Sequence, residues 1–398
     1  MAVAIAACGS SSKSAPTSAA PSTGNPVGAP IKVGIICTCS GGGGYGAVLA
    51  PGEQVYKAWA DSVNASGGIN GHPVQLITED DAGVPGTAIS DADTLVSDHV
   101  VAIADISLVD QAFATTVQSA NIPVVGTLDF DVPFITNPDF YPEGQTTDSS
   151  AYAGAATAKA AGAKNLAYIY CAEAPNCAEG IPIFKKAGQQ VGVPLVYTAA
   201  IAATAPNYTA QCLAAKQQGV QAVGVGEAAP IAIRLASDCA QQGYDPIYVT
   251  QGSGFAMSEA TATGLNNNAY FAFQNTPFFA NVPAVQSADK AISKYFPGLL
   301  QNSTGFTGEN FYSWASGVLL EHAIQGGGLG ASTTPSASEV VAGLNSLKAD
   351  TLNGLAPALT FTPGKPHLVD CWFTVRVENG APLLLNNNNT TCETGSAS

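Results

Sequence analysis

Between residues 31 and 250, short apolar runs of strand length alternate with longer segments whose apolar residues recur at helical spacing. That order leaves few folds open. A strand that feeds a helix and then a second strand in the same sheet gives parallel pairing through right-handed crossovers, so the pattern predicts an α/β chain of doubly wound architecture. Strands are expected at 31–36, 74–78, 100–104 and 123–125, with helices at 47–66, 87–97 and 109–120; Gly67-Gly68 ends the first helix. Near residue 148 the pattern restarts. Helices at 149–161, 179–188, 205–218 and 230–242 alternate with strands at 165–170, 195–198, 222–226 and 246–250. A strand at 269–275 leads out of this second set, and helical segments at 283–295 and 308–325 are expected to return to the first. The last part holds an apolar run at 355–361 and, at 371–377, an alternation that suits an antiparallel strand before the Glu378-Asn379-Gly380 turn. A chain of 398 residues exceeds what one hydrophobic core usually serves, so two lobes are expected, each with its own parallel sheet.

The first residues run from Met1 through small and apolar side chains to Cys8 and then turn polar. Ile5-Ala6-Ala7-Cys8 resembles the bacterial lipobox, in which a cysteine thiol is acylated. The basic and long apolar parts of a signal peptide are missing before it, which leads to the expectation that the native start lies upstream. Residues 9–30 are nearly all Ser, Ala, Pro, Thr and Gly, too poor in apolar side chains to fold, and residues 1–30 are read as a lipid-anchored tether. No later stretch has the ~18 consecutive apolar residues needed to span a bilayer. The expected location is outside the cytoplasm, anchored at Cys8.

Eight cysteines remain: Cys37, Cys39, Cys171, Cys177, Cys212, Cys239, Cys371 and Cys392. An even count in an exported chain points to disulfides, and pairing between sequence neighbours is expected: 37 with 39, 171 with 177, 212 with 239, and 371 with 392. Zinc is the competing explanation, but His72, His99, His322 and His367 show no ligand spacing with these cysteines. The formal charge of −15 bears on partners rather than on fold. It excludes a polyanion such as nucleic acid, whose binding needs a basic surface, and otherwise serves solubility.

Residues 64–71, Asn-Ala-Ser-Gly-Gly-Ile-Asn-Gly, are followed at 74–81 by Val-Gln-Leu-Ile-Thr-Glu-Asp-Asp. This passage resembles the branched-chain amino-acid (Leu/Ile/Val-binding) type of periplasmic binding protein, the substrate-binding components of ABC transporters. Gly44-Tyr45-Gly46, the run Ala92 to Val96, and Asn121-Ile122-Pro123-Val124 fit the same family. The resemblance implies the type I periplasmic binding fold, two lobes joined by three crossovers near residues 147, 275 and 353. Lobe 1 would then comprise 31–147 and 276–352, lobe 2 148–275 and 353–385, with 386–398 a polar tail. It implies a small-molecule ligand in the cleft, hinge closure, an ABC permease as partner, a monomer, and no cofactor.

Carried over by position, Tyr45 matches the tyrosine of the family's first loop, and Ser107 the serine at a helix start where free N–H groups suit a ligand carboxylate. The other stations depart from the family pattern. The loop after residue 125 reads Gly126-Thr127-Leu128-Asp129-Phe130; the loop after the 246–250 strand holds Gln251 and Phe255 in place of a glutamate for the ligand ammonium; and Glu227 stands where a tyrosine is expected. A buried ammonium needs a charged partner, so an amino-acid ligand would require Glu227 or Asp129 to supply it. Phe130 and Phe255 could stack on an aromatic ligand. The implied ligand is an amino acid or a related carboxylate or amide, aromatic ones included.

The glycine run at 41–46 contains G-x-G-x-x-G after the first strand, which would suit an NAD(P)-dependent oxidoreductase with Glu79 or Asp80 on the ribose. No catalytic constellation accompanies it. There is no G-x-S-x-G elbow, and the histidines form no nucleophile arrangement, so a binding protein rather than an enzyme is expected. The stronger alternative is a sensing receptor, in which the same closing lobes report a ligand to a signalling partner.

Overall fold

The computed structural model describes residues 26–128, 131–173, 175–327 and 333–393. The lipobox with Cys8, most of the tether, Asp129 and Phe130 lie outside the described residues. Two sheets organise the chain. The first runs β1 (Ile31–Cys37), α1 (Gly46–Ala65), β2 (Val74–Asp80), α2 (Pro85–Ser97), β3 (Ala102–Ile106), α3 (Ala114–Ala120), β4 (Val124–Thr127), α4 (Val132–Thr136) and β5 (Phe140–Tyr141). Its strands pair in the order β2-β1-β3-β4-β5, all parallel. Central β1 is buried at all but one position, as a strand covered on both faces must be.

The chain then builds α5 (Thr147–Ala160), β6 (Leu166–Cys171), α6 (Pro175–Val191), β7 (Leu195–Ile201), α7 (Thr209–Gln217), β8 (Ala222–Gly226), α8 (Ala229–Gln241), β9 (Ile247–Gln251) and β10 (Ala269–Phe273). Helices α9 (Pro283–Tyr295), α10 (Gly308–Gly326) and α11 (Ala337–Ser346) follow, before β11 (Cys371–Glu378), β12 (Ala381–Leu384) and β13 (Thr391–Cys392). The second sheet has the order β12-β11-β10-β9-β8-β6-β7, with β13 beside β11. Strands β6 to β10 are parallel, whereas β11 runs antiparallel to β10 and β12. The sheet is therefore mixed, because a hairpin joins β11 and β12 where a crossover would be needed for parallel pairing. Edge strand β7 alternates in burial along its length, as expected of a strand with one solvated face.

Helices α9 and α10 leave the second sheet and pack on α1, and α10 also covers β4. The close seam is at Gly317, where a Cβ would lie 2.3 Å from the Trp59 ring. Backbone passes between the two sheets in three places, and there the crossing segments bond to one another. Gln145 N–H reaches the Gln274 carbonyl at 3.3 Å, the Gln274 side-chain amide reaches the Gln145 carbonyl at 2.8 Å, and Asn275 Nδ2 reaches the Glu143 carbonyl at 2.7 Å. Thr276 N–H and Oγ1 donate to Leu355 and Gly354, and Thr146 exchanges bonds with Val369. Gly144 is needed in this crossing, since a Cβ would come within 2.7 Å of Asn275 Oδ1.

All four neighbour pairings of cysteines are formed. Cys171–Cys177 ties the end of β6 to α6, Cys212–Cys239 ties α7 to α8, and Cys371–Cys392 fixes β13 on β11. The start of the polar tail is thereby part of the second sheet. Three expectations shift. Residues 109–113 hold a 3-10 turn, so α3 starts at Ala114; the 355–361 run makes only a bridge, Leu359 with Asp350; and α4 and α11 were not anticipated. Gly317→Ala should lower stability by about 1–3 kcal/mol in a denaturant titration, the usual cost of overpacking a tight helix seam.

Candidate functional site

Parallel strands present the loops at their carboxyl ends to ligands, and a cavity of about 130 Å³ lies between the strand ends of the two sheets. From the first sheet's side come Tyr45, Leu49, Leu108, Asp131 and Glu309; from the second come Tyr168, Phe184, Glu227, Thr250, Gln251 and Ser253. Part of the wall is the Cys171–Cys177 disulfide with Gly180 and Ile183 behind it. Tyr168 stacks on Phe184 with ring centroids 4.1 Å apart, so one face of the cavity is aromatic and stiff.

Tyr45, the residue before α1, reaches across and donates its hydroxyl to Glu227 Oε2 at 2.8 Å. This bond joins loops 182 residues apart. Burial pushes the Glu227 carboxyl up to about 7, against the Tyr45 bond, with Glu173 adding to the rise and the Ala228 N–H and Arg234 opposing it. Burial likewise pushes Glu309 up to about 8. Tyr45 itself is held far above the usual phenol range, first by burial and then by Glu227. Near neutral pH these two carboxyls therefore hold protons for much of the time.

The expected site residues fall into three groups. Tyr45, Glu227 and Gln251 lie on the cavity wall. Ser107 is fully buried behind it, its hydroxyl donated to Asp81 and its N–H to Asp105 Oδ1 at 2.9 Å. Leu128 is buried in the core, and Phe255 packs edge-on against Phe271, Phe273 and Phe279 instead of facing the cleft. Asp129 and Phe130 lie outside the described residues, but their neighbour Asp131 lines the cavity. Asp131, Thr250, Ser253 and Glu309 were missed. Glu309 was the hardest to find, because it arrives from a helix start 82 residues beyond Glu227 and no local motif marks it.

Three amides of the glycine run are taken within the loops: Gly42 N–H donates to the Ala82 carbonyl at 3.1 Å, and Gly44 and Tyr45 N–H donate to Gly41 and Gly42. The loop thus serves as a tight turn that delivers Tyr45. Among the described residues no cluster of His, Cys, Asp or Glu could hold a metal ion, and no helix is long and apolar enough to cross a membrane.

A family model described as periplasmic binding protein matches residues 30–382. No curated protein sequence matches the chain. Among solved structures, a fatty acid ABC transporter substrate-binding protein from Thermomonospora curvata is similar at TM-score 0.75 and 17% identity, with 94% of this chain and 95% of that one covered. A solute-binding protein of an ABC transporter from R. palustris, in complex with benzoate, is similar at TM-score 0.70 and 14% identity over 92% and 98% of the two chains. A leucine-binding protein from Thermotoga maritima gives TM-score 0.70 and 14% identity over 89% and 97%.

Glu227, Glu309 and the fully buried Glu259, also pushed to about 8 by burial, fix a pH dependence. Unfolded glutamates release their protons near pH 4.5, while the folded protein keeps these three until pH 7 to 8, so stability is full below pH 4.5 and lost as pH rises through that window. Thermal melts should show a midpoint several degrees lower at pH 8.5 than at pH 5.5 from this source. Glu259→Gln keeps an acceptor for the Ala256 N–H, 3.0 Å away, and should raise the midpoint at pH 8.5 while changing little at pH 5.5.

Proposed function

Because the chain belongs to the periplasmic binding protein family, we propose that it is the extracytoplasmic solute-binding component of an ABC importer, closing two lobes on a small organic molecule. The lobes would be residues 31–147 with 276–352 and 148–275 with 353–385, and Cys8 would carry the lipid that holds the protein at the membrane. Its partners are the solute and the permease, and it works as a monomer. The observation that carries this reading is the Tyr45–Glu227 bond over a cavity walled by both sheets. A ligand that bridges the two walls binds the closed arrangement better than the open one, and only such differential affinity can shift the population that a permease would select.

The ligand class is that of amino acids and their carboxylate or amide relatives, aromatic ones included. The cavity is slightly smaller than the roughly 150 Å³ void that holds a benzene molecule in a protein core, so the apolar body of the solute is about one ring or one branched chain in size. Three crossings that bond to each other beside the cleft suit hinge closure, since backbone groups of each crossing segment pair with groups of the others.

Thermal unfolding of the purified chain against aliphatic and aromatic amino acids, aromatic acids, amides, polyols and NAD(P) tests the reading. A solute present at 100 times its dissociation constant should add about 2.7 kcal/mol and move the midpoint by a few degrees. Stabilisation by one class of small solute is the expected result. Stabilisation by NAD(P) alone would overturn it in favour of an oxidoreductase.

A further inference from the structure

We infer that this cleft selects an organic cation with an apolar body and no free carboxylate, an amine rather than an amino acid. The inference rests on the solute-binding reading and departs from the ligand class that the family resemblance implies. Its first support is the composition of the wall. Asp131, Glu227 and Glu309 line the cavity, and among its described lining residues there is no Lys, Arg or His. Arg234, the cation felt by Glu227, is not on the wall, and its Nη2 donates to the Ala203 carbonyl and the Tyr208 hydroxyl, each at 2.6 Å.

The second support is that the backbone donors able to receive a ligand carboxylate are already used. In the loop after β3, Ser107 N–H goes to Asp105 Oδ1, Leu108 N–H to Thr38 Oγ1 at 3.0 Å, and Val109 N–H to Ser107 Oγ at 3.0 Å. Behind that loop stand Asp81 and the coupled pair Asp105 and Asp110, both of the pair held far above the usual carboxylate range by burial. A ligand carboxylate here would find acceptors where it needs donors. At the start of α8 the Ala228 N–H bonds the Glu227 carboxylate, and Pro230 has no N–H to offer. At the start of α10, Gly308 and Glu309 N–H donate to the carbonyls of Phe255 and Ser253 at 3.1 and 2.8 Å. At each of these three stations, which elsewhere would bind an anion, the N–H groups named are taken by the protein's own side chains or carbonyls.

An anion would therefore lose its hydration against three carboxyls, with the Gln251 amide and the Ser253 hydroxyl as side-chain donors in return, whereas a cation gains Glu227 and the aromatic wall that Tyr168 and Phe184 form together. Discrimination comes as much from the repulsion of the acid as from the attraction of the amine.

Titration calorimetry at pH 8 on the full chain tests this with two matched pairs, isoamylamine against leucine and benzylamine against benzoate, together with mass spectrometry of what the protein retains from a whole-cell extract. The expected result is that the amine of at least one pair binds tenfold or more tighter than its acid partner, that Glu227→Gln removes that preference, and that the species retained from the extract is a cation. Tighter binding of leucine or benzoate, or retention of a carboxylate or an uncharged solute, overturns the inference and leaves the solute-binding reading standing. If no probe binds and nothing is retained from the extract, the solute-binding reading itself falls.

Discussion

Where the backbone passes between the two sheets, Gln145, Gln274, Asn275 and Thr276 are all buried, and their amides must find partners away from water. They find them in each other's segments: Gln145 and Gln274 exchange bonds, Asn275 holds the Glu143 carbonyl, and Thr276 reaches Leu355 and Gly354. Because the crossings satisfy one another, the two sheets do not have to interlock to stay together. The cleft between their strand ends is lined from both sheets. Gly144 is the sequence's concession to this arrangement, since a side chain there would strike Asn275 and Gln274.

The charge in the cleft follows from the same economy of partners. Three of the strand ends and helix starts that face the cavity are met by the protein's own atoms: Asp105 and Thr38 behind β3, Glu227 at α8, the Ser253 and Phe255 carbonyls at α10. The charged groups left on the wall are the carboxyls of Asp131, Glu227 and Glu309. Three carboxyls can sit this near an apolar lining because burial lifts Glu227 and Glu309 toward neutral pH, so they can carry protons until a cation replaces them.

Most of the α/β order was legible in the sequence, because central strands such as 31–36 are unbroken apolar runs and the helices between them end at glycines or before prolines. The disulfide pairs were legible too, since each joins neighbours along the chain. What failed did so for nameable reasons. Helix α11 carried a capping signal, Ser336-x-x-Glu339, but the sequence before it is rich in Gly, Ser and Thr, with no apolar periodicity leading into it. The apolar residues of the 355–361 run serve the core, where Leu355, Ala356, Leu359 and Phe361 are buried. The side chains of Ser107 and Phe255 turn to Asp81 and to an aromatic cluster, a direction that residue type and position along the chain do not fix. Glu309 and Asp131 could be joined to Glu227 only through the fold.

The central claim is that one small solute draws the two lobes together over the Tyr45–Glu227 contact. Solution X-ray scattering of the protein, with and without the solute that stabilises it, measures this directly. The account predicts a smaller radius of gyration in saturating solute than without it, and no such change for Glu227→Gln at the same concentration. A solute that binds and stabilises the chain while the scattering of the wild-type protein stays the same would contradict closure, and would point to a rigid receptor pocket instead.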